Sequence, residues 1–171
     1  NNSISYAMTA IPLFVLMGEI VLRADISAKF YRGLAKLIGK LPGGLLQSNI
    51  AATAFFAAIS GSAIATAAAI GSVSIPEMTK RRYNSEMLFG SLASGGTLGL
   101  LIPPSIPLII YGTLTNGSVT KLFMAGVVPG FLLALIFIFY IGIRCTIKKG
   151  LTPAPEAATG KEKLRAIPDI L

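Results

Sequence analysis

Serine, threonine, glycine and proline gather at two places where almost every neighbour is apolar. The first is "AISGSAIATAAAIG", with Ser60, Gly61, Ser62 and Thr66, and the second is "GGTLGLLIPPSIPLIIYG", residues 95–112. Apart from Tyr111 neither stretch holds an ionisable side chain, so neither can run acid–base chemistry. What they offer is oxygen. Pro103 and Pro104 lack an amide donor and disfavour helix in the residue before them. A break near Ile102–Ser105 therefore frees carbonyls and exposes the ends of two half-helices. Such ends carry about half an elementary charge, negative at the C-terminus and positive at the N-terminus. Freed carbonyls, with the Thr97 and Ser105 hydroxyls, form a neutral oxygen cage suited to a hard cation such as sodium, and half-helix N-termini suit a carboxylate. Discontinuous helices aimed at a midplane site recur in secondary transporters.

Packing explains the same residues in another way. Gly95, Gly96, Gly99, Ser91 and Ser94 suit close contact between membrane helices. Prolines often only kink such helices, and the Ser60 and Ser62 hydroxyls can bond back to a carbonyl one turn earlier. A structural membrane segment for helix packing or partner docking, without its own binding site, is therefore the alternative reading. A channel is a third, although no amphipathic pore helix is visible.

The elements that would position these residues follow from the charges. Of 171 residues 53% are hydrophobic and 13% charged, against about a quarter charged in soluble domains. No Asp, Glu, Lys or Arg occurs in residues 1–18, 41–76, 87–120 or 122–143. Each run reaches the roughly 18 apolar residues that suggest a span, so an all-α integral membrane protein is expected. The net charge of +8 would suggest nucleic acid in a soluble protein. Here the basic residues sit in short segments between apolar runs, so topology accounts for them and no nucleic acid is expected. His is absent and Cys145 is the single cysteine, which removes a zinc, haem or triad site built on His. Glu19, Glu77 and Glu86 fall at span ends, so no carboxylate relay crosses the membrane. No enzyme is expected.

Lys and Arg mark the cytoplasmic side, and they cluster at 23–40, 80–82 and 144–149. The first two clusters bracket the uncharged run at 41–76. Two full crossings need about 40 residues, at ~20 per helix, whereas two helices of ~15 residues reach about 22 Å each. The spacing therefore predicts a re-entrant hairpin with its tip at Ser60–Ser62. A bent backbone at that depth needs cover from protein or a water-filled cavity. The expected order is a transmembrane helix over 1–24, a cytoplasmic amphipathic basic helix over 25–42, and the re-entrant hairpin over 43–78. A broken transmembrane helix over 87–112, a transmembrane helix over 122–144 and a cytoplasmic linker over 145–171 follow. Without an initial Met or a signal peptide, the sequence is expected to be an internal piece of a longer chain.

"SGSAIATAAAIGSVSIPEM" followed by "GSLASGGTLGLLIPPSIPLIIYG" resembles the large membrane subunit of TRAP transporters, the tripartite ATP-independent periplasmic family. "IPLFVLMGEI", "LPGGLLQSNIAATAFFAAISGS" and "KLFMAGVVPGFLLALIF" are similar to the same subunit, in the same order. The resemblance implies one half of an inverted-repeat, elevator-type symporter in a bacterial inner membrane. It implies import of organic acids, such as C4-dicarboxylates or sialic-acid-like sugar acids, driven by sodium as coupling ion and with no other cofactor or metal. The implied partners are a small membrane subunit and a periplasmic substrate-binding protein. It further implies sodium ligation by Ser60, Gly61, Ser62, Thr66, Gly95, Thr97, Gly99 and Pro103, and substrate contact by Ser62, Ala63 and Ser105. At position 63 Ser or Gly is expected in many relatives, and Ala63 leaves open whether the side chain there matters or only the backbone carbonyl does.

Overall fold

The computed structural model describes residues 2–23, 26–39, 41–148 and 150–153. Among them there is no strand, and the described residues form seven helices. These are α1 (Asn2–Arg23), α2 (Ile26–Ile38), α3 (Leu45–Ser60), α4 (Ala63–Lys80), α5 (Ser85–Leu101), α6 (Ile106–Leu114) and α7 (Val119–Ile147). Most of the linker expected over 145–171 lies outside the described residues, as does Lys40.

Local chemistry sets the helix ends. α3 stops at Gly61, whose φ of 59° is left-handed and whose N–H donates to the Ala57 carbonyl at 3.0 Å, a usual glycine ending. α4 restarts at once because Ser62 is extended and its hydroxyl accepts from the Ala65 N–H at 3.4 Å, which caps an otherwise unpaired donor. Asn84 caps α5 in the same way, accepting from the Met87 N–H at 3.0 Å. α5 ends at Leu101 because Pro103 and Pro104 bring no N–H to the Gly99 and Leu100 carbonyls four residues earlier. α6 begins after Ser105.

α3 and α4 form an antiparallel hairpin. Ser60 meets Thr66 near the turn, Asn49 meets Met78 far from it, and the Leu45 N–H donates to the Tyr83 hydroxyl at 3.2 Å. The chain thus returns to the end from which it started, after helices of 16 and 18 residues, or about 24 and 27 Å at 1.5 Å per residue. α5 and α6 behave otherwise. α7 runs back along both of them, with Gly112 against Val119 and Leu122, Gly126 against Leu101 and Leu108, and Gly130 against Ile102. The two short helices therefore keep one direction across their gap.

α3 is the centre of the core. Leu46, Ile50, Ala52, Phe56 and Ala57 of α3 are buried with Ile70 and Met78 of α4 and Leu88 and Leu98 of α5. α2 docks through Phe30, stacked on Phe55 at 4.1 Å and edge-on to Phe56 at 6.0 Å. Beside it burial pushes the Tyr31 phenol well above its usual range, with Tyr83 and Glu77 adding to the shift. Among the described residues two segments are long and apolar enough to cross a membrane, Ser85–Leu114 and Val119–Ile147. α7 turns Met124, Val128, Phe131, Phe139 and Ile147 outward, the face a lipid-exposed helix presents.

Candidate functional site

The break between α3 and α4 and the break between α5 and α6 are 40 residues apart in sequence and touch in space. The Ile106 N–H, at the start of α6, donates to the Gly61 carbonyl at 3.2 Å. A Cβ on Gly61 would stand 2.5 Å from the Pro104 carbonyl oxygen, so only glycine permits both the left-handed turn and this approach. One turn back on α5, a Cβ on Gly99 would lie 2.9 Å from the Ser62 carbonyl carbon and 3.0 Å from the Ala63 nitrogen. The ends of four helices, α3 and α5 by their C-termini and α4 and α6 by their N-termini, meet there. Two partial negative and two partial positive charges are thereby brought to one place.

Hydroxyls line the junction. Ser60 Oγ is 2.6 Å from Thr66 Oγ1 and 3.3 Å from the Ser62 carbonyl, and it also accepts from the Ser62 N–H at 3.3 Å. Ser105 Oγ donates to the Leu100 carbonyl at 2.7 Å, which supplies the donor that Pro104 lacks. Ser60, Thr66 and Ser105 are all buried. The Gly99 carbonyl, opposite Pro103, has no amide partner along the helix. The donor set is therefore neutral oxygen, from carbonyls and hydroxyls. That chemistry suits a hard monovalent cation, while the N–H groups of α4 and α6 suit an anionic oxygen. Among the described residues no cluster of His, Cys, Asp or Glu could hold a transition metal.

Of the residues expected to form the site, Ser60, Gly61, Ser62, Ala63, Thr66, Gly99 and Ser105 come together at this junction. Pro103 lies in the gap itself and is half-buried. Gly95 stands apart, pressed against the Thr53 side chain of α3. Thr97 is exposed, and its hydroxyl donates to the Ser94 carbonyl at 2.6 Å on its own helix, so it does not join Ser105 in one cage within the described residues. Two contributors carried no signal in the sequence. The Pro104 carbonyl matters through its backbone position. Gly18 of α1 brings that helix over the tip, where a Cβ would lie 3.3 Å from Ser60 Cα.

The sequence of this chain is similar to those of known proteins. A family model described as "Tripartite ATP-independent periplasmic transporter, DctM component" matches residues 3–169. The C4-dicarboxylate TRAP transporter large permease protein DctM of Vibrio cholerae is 39% identical over 161 residues, 94% of this chain and 35% of that protein. The 2,3-diketo-L-gulonate TRAP transporter large permease protein YiaN of Escherichia coli is 41% identical over 133 residues, covering 78% and 31%. The sialic acid TRAP transporter large permease protein SiaM of Vibrio cholerae is 34% identical over 154 residues, covering 90% and 36%. The chain spans about a third of the length of the curated relatives it matches.

Proposed function

We propose a function from one premise: the chain belongs to the DctM component family of the tripartite ATP-independent periplasmic transporters. Its relatives are transporter permeases, not enzymes. The chain supplies one hairpin and one interrupted helix of a sodium-coupled symporter that imports an organic acid across a bacterial inner membrane. The hairpin α3–α4 is re-entrant: its ends lie at the cytoplasmic surface and its tip at Ser60–Ser62 stops within the bilayer. Sodium, as cargo, is held by the Ser60, Thr66 and Ser105 hydroxyls with carbonyls of the Gly61–Ser62 turn and of Gly99. A substrate carboxylate is met by the N-terminal ends of α4 and α6, around Ser62, Ala63 and Ser105. The hairpin and the interrupted helix move together as part of an elevator, and the rest of the relatives' length supplies the facing half.

The observation that carries this reading is the backbone bond from Ile106 N–H to the Gly61 carbonyl. It joins two helix breaks that lie in otherwise apolar elements. Bound together, an organic anion and its cation each lower the other's cost of leaving water, which couples their binding. The names of the relatives support an organic acid as the substrate class, since they include a C4-dicarboxylate, a sugar acid and sialic acid. A small membrane subunit and a periplasmic binding protein complete the assembly.

Uptake by the full-length protein in vesicles tests the reading. Uptake of a C4-dicarboxylate, a sugar acid or sialic acid is expected in a sodium gradient, with little when potassium or choline replaces sodium. Equal uptake in all three salts would remove sodium from the mechanism. Single cysteines at Ser60 to Ala63, with Cys145 removed, are expected to react with water-soluble thiol reagents and to be protected by sodium. Inert cysteines would favour a packing role.

A further inference from the structure

A second polar region lies inside the hairpin, nearer its base than its tip. The α4 residues Thr66, Ile70, Ser74 and Met78 are spaced four apart and all fully buried. Thr66 touches Ser60 and Met78 touches Asn49, both on α3. That stripe therefore faces α3, and the antiparallel register sets Ser74 opposite Thr53. On α5, Ser91 accepts from Asn49 Nδ2 at 2.9 Å, and Gly95 abuts Thr53. Three helices thus bring Asn49, Thr53, Ser74 and Ser91 into one seam.

Two of the four are satisfied and two are not. Thr53 Oγ1 donates to the Asn49 carbonyl at 2.7 Å, and Ser91 Oγ donates to the Leu88 carbonyl at 2.8 Å. Ser74 could bond back along its helix in the same manner, but its Oγ has no partner, and neither has Asn49 Oδ1. The Asn49 amide cannot be turned to cure this. Its nitrogen already reaches Met78 Sδ at 3.5 Å and Ser91 Oγ; a reversed oxygen would find no hydrogen on the thioether, and would receive one from Ser91 only at the expense of its bond to the Leu88 carbonyl. An orphan acceptor and an orphan donor on facing helices, both fully buried, are polar groups of the kind that buried water satisfies.

We propose that the α3–α4–α5 seam binds water, which accepts from Ser74 Oγ and donates to Asn49 Oδ1. This hydration site is separate from the cation cluster at the tip, and the Ala57–Ile70 layer stands between the two. It makes the hairpin interior wet on the base side of the tip, whichever ion the tip takes. Radiolytic footprinting of the full-length protein in lipid nanodiscs tests it, because radicals formed from bound water oxidise a thioether beside them. Met78, although fully buried, is expected to be oxidised in proportion to dose. That oxidation is expected to be lost in an Asn49→Leu, Ser74→Ala double variant that still gives a cooperative melt. A wild-type Met78 that stays inert overturns the proposal, and needs no variant to be read. Equal oxidation in wild type and a folded variant, Ser74→Ala alone serving where the double does not fold, overturns it as well.

Discussion

The two breaks use opposite means and reach opposite ends. At Gly61–Ser62 the interruption is two residues long, relies on a left-handed glycine, and reverses the chain, so that α4 returns along α3. At Ile102–Ser105 it is four residues long, relies on prolines, and leaves the direction of α5 and α6 unchanged. The glycine turn keeps its backbone groups occupied: Gly61 N–H goes to Ala57 and the Gly61 carbonyl to Ile106 N–H. The proline gap cannot, because two amide hydrogens are missing, and Ser105 repairs only the Leu100 carbonyl. The reversing break thus supplies shape, cover and oxygens that already hold hydrogen bonds, while the straight one supplies unpaired oxygen. Neither alone gathers the oxygens of the proposed site, and their contact does.

Predictions follow from breaking that contact. The largest effect is expected for Gly61→Val. A left-handed L-residue costs about 1–2 kcal/mol, and its Cβ would overlap the Pro104 carbonyl, so a total near 3 kcal/mol is expected once overpacking is added. Thermal unfolding of the purified full-length protein should show an early transition, and vesicle uptake should be lost. An unchanged melt would mean that the breaks need not touch.

Gly99→Ala is a smaller wedge, against the Ser62 and Ala63 backbone, and overpacking of that kind costs about 1–3 kcal/mol. Because it pries the hairpin from the interrupted helix at the proposed ligands, the sodium concentration for half-maximal uptake should rise more than stability falls. Tyr83→Phe acts at the base of the reversing element, far from the tip. It strips the acceptor from the Leu45 N–H, a loss of about 1 kcal/mol. The melt should drop while sodium dependence stays at its wild-type value. The smallest effect is expected for Thr97→Ala. Its hydroxyl is exposed and bonded to its own helix, so stability should move by no more than about 0.5 kcal/mol. A marked change in sodium dependence there would instead bring Thr97 back among the ligands.

Much of this was legible in the residues. The charge-free runs gave an all-helical membrane fold, and the length of the 41–76 run gave a segment that turns back. Ser60–Ser62 and the proline pair marked both interruptions, because the local rules for glycine, proline and capping serine act over one or two turns. What was not legible had a different cause. Gly95, Gly99 and Thr97 share one short stretch, yet Gly99 meets the tip, Gly95 meets Thr53, and Thr97 is exposed with its hydroxyl bonded to its own helix. Residues four apart share a helix face one turn from each other, while the residue between them points away, so the rotation of α5 turns Thr97 from the hairpin and its axial placement decides that Gly99 rather than Gly95 reaches the tip. The orphaned Asn49 and Ser74 were equally silent, since a partner's absence is a property of three packed helices.

The sequence by itself therefore determined where the helices run and where they fail, through backbone sterics and the loss of proline N–H groups. The tertiary structure alone decided that the two failures meet. That meeting is set by the fit of Gly61 beneath Pro104 and of Gly99 against Ser62, distances between segments that no local pattern encodes.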